Sequence, residues 1–426
     1  MKYVVPLILS FLFTFSGNAQ NEKRIIKNHI EILASPGFHG RGYVFDGGKL
    51  AANYIVNNFK LYGLLPFKID STFCQGYTFP INRFPINTSL TINKKELVPG
   101  KDYIVNAASS AYIYEGRIRL KIIDLAKIRD TADWYCIKPQ LQDATCGYFI
   151  KNADTLSKYL RLNTRSLTRE LPKGLFILPI HGKMIWTANT EIVPATLITV
   201  QDTVLPGKIT KATVRVLPEY DSAFQTQNVI AYVPGTSTPD SFIVFTAHYD
   251  HLGQMGRNTL FPGAHDNASG TSLVLYLAKY FSEHPQRYSI AFILFSGEEA
   301  GLLGSEYYVK HPLFPLSKIR FLVNLDMTGD ATNGITVVNA QANRNEYSLM
   351  NNINEEQGYL PKIIQREQTR NSDHWPFCKA GVSAVFIYGM GTKPYYHDIY
   401  DVAKEISLEN IDGLSRLLID FTNELQ

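Results

Sequence analysis

Residues 242–251 read FIVFTAHYDH, an apolar and β-branched run that ends in Ala247-His248-Tyr249-Asp250-His251. Such a run has no polar face to give to water, so it reads as a strand buried on both sides, as in parallel sheets covered by helices. The pattern repeats on either side of it. Residues 228–233, 290–295, 321–325, 335–338 and 382–388 are further buried-strand runs, and residues 269–281, 302–310, 344–356 and 408–425 carry helical periodicity between or after them. The alternation predicts an α/β fold, a mixed, mainly parallel sheet sandwiched by helices.

Upstream the pattern changes. Ile25, Ile26, Ile30 and Leu33 recur at helical spacing, as do Ala52, Ile55, Phe59 and Tyr62, with Gly63 as a stop. From 79 to 219, short apolar runs separated by turn residues read as strands, and only 154–162 looks helical. The expected organisation is a signal segment over 1–19 and a first part of the main domain over 20–78. A strand-rich inserted module follows over 79–219, then the main part over 220–426. Lys2, the apolar run 4–15 and Gly17-Asn18-Ala19 predict cleavage after Ala19 and export to the periplasm or the medium. That run is too short to span a bilayer, which needs roughly 20 residues, so no membrane anchor is expected after cleavage.

Lys+Arg at 42 against Asp+Glu at 38 leaves +4, which argues against a phosphate-binding surface and hence against nucleic acid. Four cysteines, none in a Cys-x-x-Cys pair, exclude a thiolate zinc finger and a disulfide scaffold, although Cys136 and Cys146 are close enough in sequence to bridge.

In open α/β sheets, ligands bind beyond the carboxyl ends of the strands. The residues falling there are His248 and Asp250, Glu298-Glu299, Asp326 and, past the last strand, His397; Asp266 stands at a helix mouth. Singly, each has an ordinary reading: a loop histidine, an N-cap, a charge pair favouring a helix dipole. Together they crowd carboxylates into one cleft, where mutual repulsion calls for a cation. Imidazole and carboxylate without thiolate suits zinc, and manganese or cobalt less well. Composition does not tell Glu298 from Glu299.

Thr246–Gly253, Gly263–Gly270, Gly297–Ser305 and Asn324–Met327 resemble, in order, the motifs of the bacterial leucyl aminopeptidase-like di-zinc metallopeptidases of clan MH. Tyr396-His397-Asp398 and Gly40-Arg41-Gly42 resemble further family stretches. The resemblance implies two Zn2+ per chain, one held by His248 and Asp326, the other by Glu299 and His397, with Asp266 bridging. It implies Glu298 as general base, Asp250 as the carboxylate that orients His248, and a cis peptide between Asp266 and Asn267. The implied activity is that of an exported zinc aminopeptidase acting on peptides with a free N-terminus. The inserted module occupies the place where some exported members carry a protease-associated domain. Carboxypeptidase and dipeptidase activities stay open, as do a single-zinc glutaminyl cyclase-like acyltransferase and a non-catalytic ectodomain; the last would be expected to lack a ligand or Glu298. His251 and His265 match no ligand position and read as structural. Ser372-Asp373-His374 are three adjacent residues that cannot form a triad across a cleft, and they read as the cap of a short helix. Tyr388, Tyr395 and Tyr396 are candidates to line a pocket.

Overall fold

A computed structural model describes residues 9–67, 72–161 and 164–425. Residues 1–8, and with them the start of the expected signal segment, lie outside the described residues. The first described element is the helix α1, Leu9–Leu33. No helix among the described residues is long and apolar enough to cross a membrane.

The main sheet has eight strands: β1 Cys74–Arg83, β2 Glu219–Val233, β3 Thr238–His248, β4 Tyr288–Phe295, β5 Ile319–Leu325, β6 Ile335–Val338, β7 Ile363–Arg366 and β8 Ala384–Gly389. Their spatial order is β1-β2-β4-β3-β5-β8-β6-β7. The central strands β4, β3, β5 and β8 run parallel. β1 and β2 extend the sheet antiparallel on one side, and β6 is antiparallel to β8 on the other. Alternate residues of β3 serve opposite layers, as a period of two requires. Ile243, Phe245 and Ala247 join the core that packs α1, α2 (Gly47–Leu61), α3 (Gly270–Glu283) and the C-terminal helix Ile411–Glu424. Phe242 and Val244 face the opposite core, with Tyr308, Phe314 and Phe377. The sheet is therefore covered on both faces, and its fold is the mixed, mainly parallel α/β sandwich that the strand pattern predicts.

Two features depart from the sequence expectations. β7 is a short edge strand with only half-buried or exposed side chains, so it carries no apolar run to read. The boundary at 79 falls inside β1, which pairs with β2 from Cys74↔Val229 to Arg83↔Glu219. Strands of the second sheet run from Ser89–Ile92 to Lys211–Val216.

That second sheet also has eight strands, and its long strand Tyr112–Asp124 joins two halves. The strand pairs antiparallel with Lys211–Val216 and parallel with Gly147–Lys151, after which Gly174–Ile180 and Ala195–Gln201 continue in parallel. Parallel neighbours need crossovers. The module accordingly holds the helices Thr131–Ile137 and Thr164–Glu170 besides Asp154–Leu160, more than the single helix expected. One face of this sheet packs Trp134, Leu156 and Leu167. The other shares a core with Leu252, Met255 and Phe261, from the loop that follows His248. Cys136 is exposed, Cys146 is buried, and no disulfide joins the two.

Candidate metal centre

Each expected site residue is delivered by the end of an element. β3 ends at His248, Glu298 and Glu299 follow β4, and Asp326 follows β5. Asp266 lies in the turn before α3, and the Asp266–Asn267 peptide is cis. His397 is in the loop after β8.

These side chains converge around Asp266. Its Oδ1 lies 3.3 Å from His248 Nε2, and its Oδ2 lies 3.0 Å from His397 Nε2. His248 Nε2 is also 3.3 Å from Asp326 Oδ1, and His397 Nε2 is 3.0 Å from Glu299 Oε2. A tetrahedral zinc about 2.0–2.1 Å from its donors separates those donors by about 3.3 Å. The observed spacings fit that edge in two groups that meet at one carboxylate, and a third group, His248, Glu298 and Glu299, overlaps both. Of the two that meet, His248, Asp266 and Asp326 form one, and Asp266, Glu299 and His397, joined by His251, form the other.

The field at these atoms favours positive charge. Burial alone would depress both histidines. The charges of Asp326 and Glu298 nevertheless raise His248 well above the usual imidazole range, and Glu299 with Asp266 does the same for His397. Burial opposes the ionised carboxylates too, yet the two histidines hold Asp266 well below its ordinary value. Glu299 is likewise held down, to about 2, chiefly by His397. The donor set and its field thus fit divalent cations.

The adjacent acids Glu298 and Glu299 differ in place. Glu299 is inward, 3% exposed, with Oε1 2.6 Å from His251 Nδ1. Glu298 lines a cleft of about 400 Å³ together with His248, Asp326, Tyr388, Tyr396 and Arg366. Burial, then the charges of Asp373, Glu299 and Asp326, push its carboxyl well above the usual range.

The supports around the donors were only partly legible from the sequence. His248 Nδ1 donates to the backbone carbonyl of Asp250 at 3.1 Å, while the Asp250 carboxylate is 3.7 Å away. That carboxylate accepts from the Tyr43 hydroxyl at 2.7 Å and from the Glu298 N–H at 3.3 Å. Ser372, read as part of a helix cap, instead donates to Asp326 Oδ2 at 2.8 Å, and the hydrogen-bond chain continues through Asn324 to Thr246. Asp373 makes no capping bond. It accepts from Ser305 and is raised to about 7, mainly by burial. His251, which matches no ligand position, is buried against Glu299, and its ring fills the space a Cβ on Gly263 would need. His265 has its N–H bonded to Asp401, not to the site. Tyr395 stays outside the cleft lining.

Arg41, singled out in the sequence only as part of Gly40-Arg41-Gly42, contributes a role that the sequence reading did not assign. Fully buried, its guanidinium donates to the carbonyls of Tyr249, Leu33, Pro262 and Gly263 at 2.6–3.0 Å, with a longer contact to that of Asp266. It ties the end of α1 to the backbones that carry His248 and Asp266.

Residues 228–422 match peptidase family M28. The matched stretch is a little under half of the chain and takes in every residue of the candidate centre. Over 203 residues the chain is 34% identical to aminopeptidase YwaD of Bacillus subtilis (strain 168), a match covering 45% of this chain and 43% of that protein. A probable leucine aminopeptidase of Arthroderma otae is 26% identical over 226 residues, covering 49% of this chain and 59% of the relative. The chain thus spans about half the length of these curated relatives. The structure of BSAP, a zinc aminopeptidase from Bacillus subtilis, aligns with a TM-score of 0.66 at 20% identity, over 94% of this chain and 95% of that one. A peptidase M28 precursor from Shewanella amazonensis SB2B aligns with a TM-score of 0.67 at 18% identity, over 96% of each chain. At these identities the likeness is one of fold, and it takes in the second sheet as well as the main sheet.

Proposed function

We propose that this protein is an exported zinc aminopeptidase that holds two Zn2+ and removes N-terminal residues from peptides. The observation that carries the reading is the division of Asp266, with one oxygen facing His248 and the other facing His397. His248 and Asp326 would hold one ion, Glu299 and His397 the other, and Asp266 both. When bound, a metal pair supplies Lewis acidity toward a carbonyl and lowers the pKa of water.

The protein's own groups do the rest. Glu298 faces the cleft with a raised pKa, which suits a group that takes a proton from water and returns it to the departing amine. His248 is fixed as the Nδ1–H tautomer by the Asp250 carbonyl, leaving Nε2 free as a donor. Asp250 in turn holds the Glu298 backbone in place. The acidic lining favours a substrate ammonium, which supports a free N-terminus as the recognised end. The names of the curated relatives support aminopeptidase over the other exopeptidase activities, and the 1–19 segment supports export.

The test sets free-amine peptides against the same peptides acetylated at the N-terminus, with native, chelated and zinc-restored protein. The expected outcome is cleavage of the free-amine set only, lost on chelation and restored by zinc. Full activity with verified metal removal, or equal cleavage of the acetylated set, contradicts the proposal.

A further inference from the structure

The partner of His397 Nδ1 does not come from the main sheet or its loops but from the inserted module. That Nδ1 donates to the carbonyl of Trp186 at 3.1 Å, and the Trp186 N–H donates back to the His397 carbonyl at 3.0 Å. Trp186 lies in the inserted module, in the connection between the strands Gly174–Ile180 and Ala195–Gln201. The pairing fixes the His397 tautomer with its proton on Nδ1, so that Nε2 is the free donor. Nε2 is the atom 3.0 Å from both Asp266 and Glu299.

Trp186 is itself immobilised. Its ring is 5% exposed and stacks on Phe261 with centroids 4.6 Å apart, and its indole N–H donates to the Val105 carbonyl at 2.8 Å. Three residues earlier, Lys183 binds the Pro394 carbonyl and lies 3.1 Å from the Asp398 carboxylate, and its ammonium stands over the Tyr396 ring at 5.7 Å. Ile399 packs against the module's own core. Pro394, Tyr396, His397, Asp398 and Ile399 therefore all touch the module, and Tyr396 stacks on the His397 ring at 3.8 Å. His248 needs no such help, because its Nδ1 partner lies two residues along the same chain segment.

We infer that the inserted module is a working part of the metal centre: Lys183 and Trp186 are positioning residues for His397, and the affinity of the second ion alone depends on how the module is seated. This rests on the two-ion reading above. Groups that orient a metal-bound histidine are typically worth 10–100-fold in metal affinity. A merely structural contact would instead affect both ions, or neither.

The experiment titrates zinc into the metal-free full chain against a competing chelator, and records the cobalt(II) absorption of each variant. Thermal unfolding without metal checks the fold. Native protein is expected to bind two ions. Trp186→Ala should weaken one of them by about 10–100-fold and leave the other unchanged. Trp186→Phe, which keeps the stack on Phe261, should restore most of the loss. Lys183→Ala, at a partly exposed position that the fold tolerates, should weaken the same ion by a smaller factor and alter one component of the cobalt spectrum. Two native ions whose affinities are unchanged in both alanine variants overturn the inference and leave the two-ion reading standing. Equal weakening of both ions also overturns it. A single native ion overturns the two-ion reading and the inference together.

Discussion

His248 and His397 face the two oxygens of one carboxylate, yet the chain holds them in opposite ways. His248 closes a central strand with parallel neighbours on both sides. The polar chain from Thr246 through Asn324 and Ser372 braces Asp326 beside it. Arg41 pins the backbone behind it. His397 sits in a loop past the last strand, bonded to a residue 211 positions away in another module. One histidine is built into the sheet, and the other is held by a contact between two modules. The difference teaches that two histidines facing one carboxylate can be held in unlike ways, one by the sheet alone and the other across two modules.

The largest effect is expected at Glu298, which lines the cleft beside His248. Glu298→Gln keeps shape but cannot take a proton, so turnover on an amino-acid anilide should fall by roughly 10²–10⁴-fold. Zinc content should not change. Near-normal turnover would remove the proton-transfer role, and loss of zinc would make Glu298 a ligand.

A second effect concerns the helices behind the sheet-held histidine. His29, on α1, is 5% exposed between the hydroxyls of Tyr54 and Tyr62. Burial lowers its pKa to about 4 from an ordinary 6.5. The unfolded chain therefore binds the proton more readily, and stability falls as pH drops through 6.5 until the folded histidine titrates near 4. The loss at pH 5 is on the order of 2 kcal/mol. His29→Gln should remove that part of the slope in urea unfolding at pH 7 and pH 5. An unaltered slope would show that His29 is not the group responsible.

The smallest effect tests the brace beside the sheet-held histidine. Ser372→Ala should weaken the ion beside Asp326 by about tenfold and spare the ion beside His397, the reverse of the pattern expected for Trp186→Ala. Chelator titration of the two variants side by side would show it. The same ion weakened in both would mean the two ions are not separately supported.

What the sequence discloses follows the same division. His248, Glu298, Glu299 and Asp326 each sit at the end of an apolar run, so strand periodicity alone leads to them, and the structure brings them together with Asp266 and His397. The general fold was legible for the same reason: β3, β4 and β5 have no polar face. Trp186 was not legible, because its part is played by a backbone carbonyl that no side-chain pattern announces. Ser372 was hidden by its neighbours, since Ser-Asp-His before a short helix suggests a cap, whereas long-range packing turns the hydroxyl to Asp326. β7 lacks a buried face. Of the module's extra helices, Thr164–Glu170 has Leu167 as its one apolar residue, so it carries no periodicity to read.

The central claim is that two ions share Asp266, and zinc counted per chain tests it most directly. Elemental analysis of the native protein and of Glu298→Gln and Glu299→Gln, each dialysed against the same buffered zinc, gives the answer in one series. The account predicts two ions per chain in the native protein and in Glu298→Gln, and one in Glu299→Gln, which loses a ligand of the ion beside His397. One ion in the native protein, or two retained in Glu299→Gln while Glu298→Gln loses one, would contradict it.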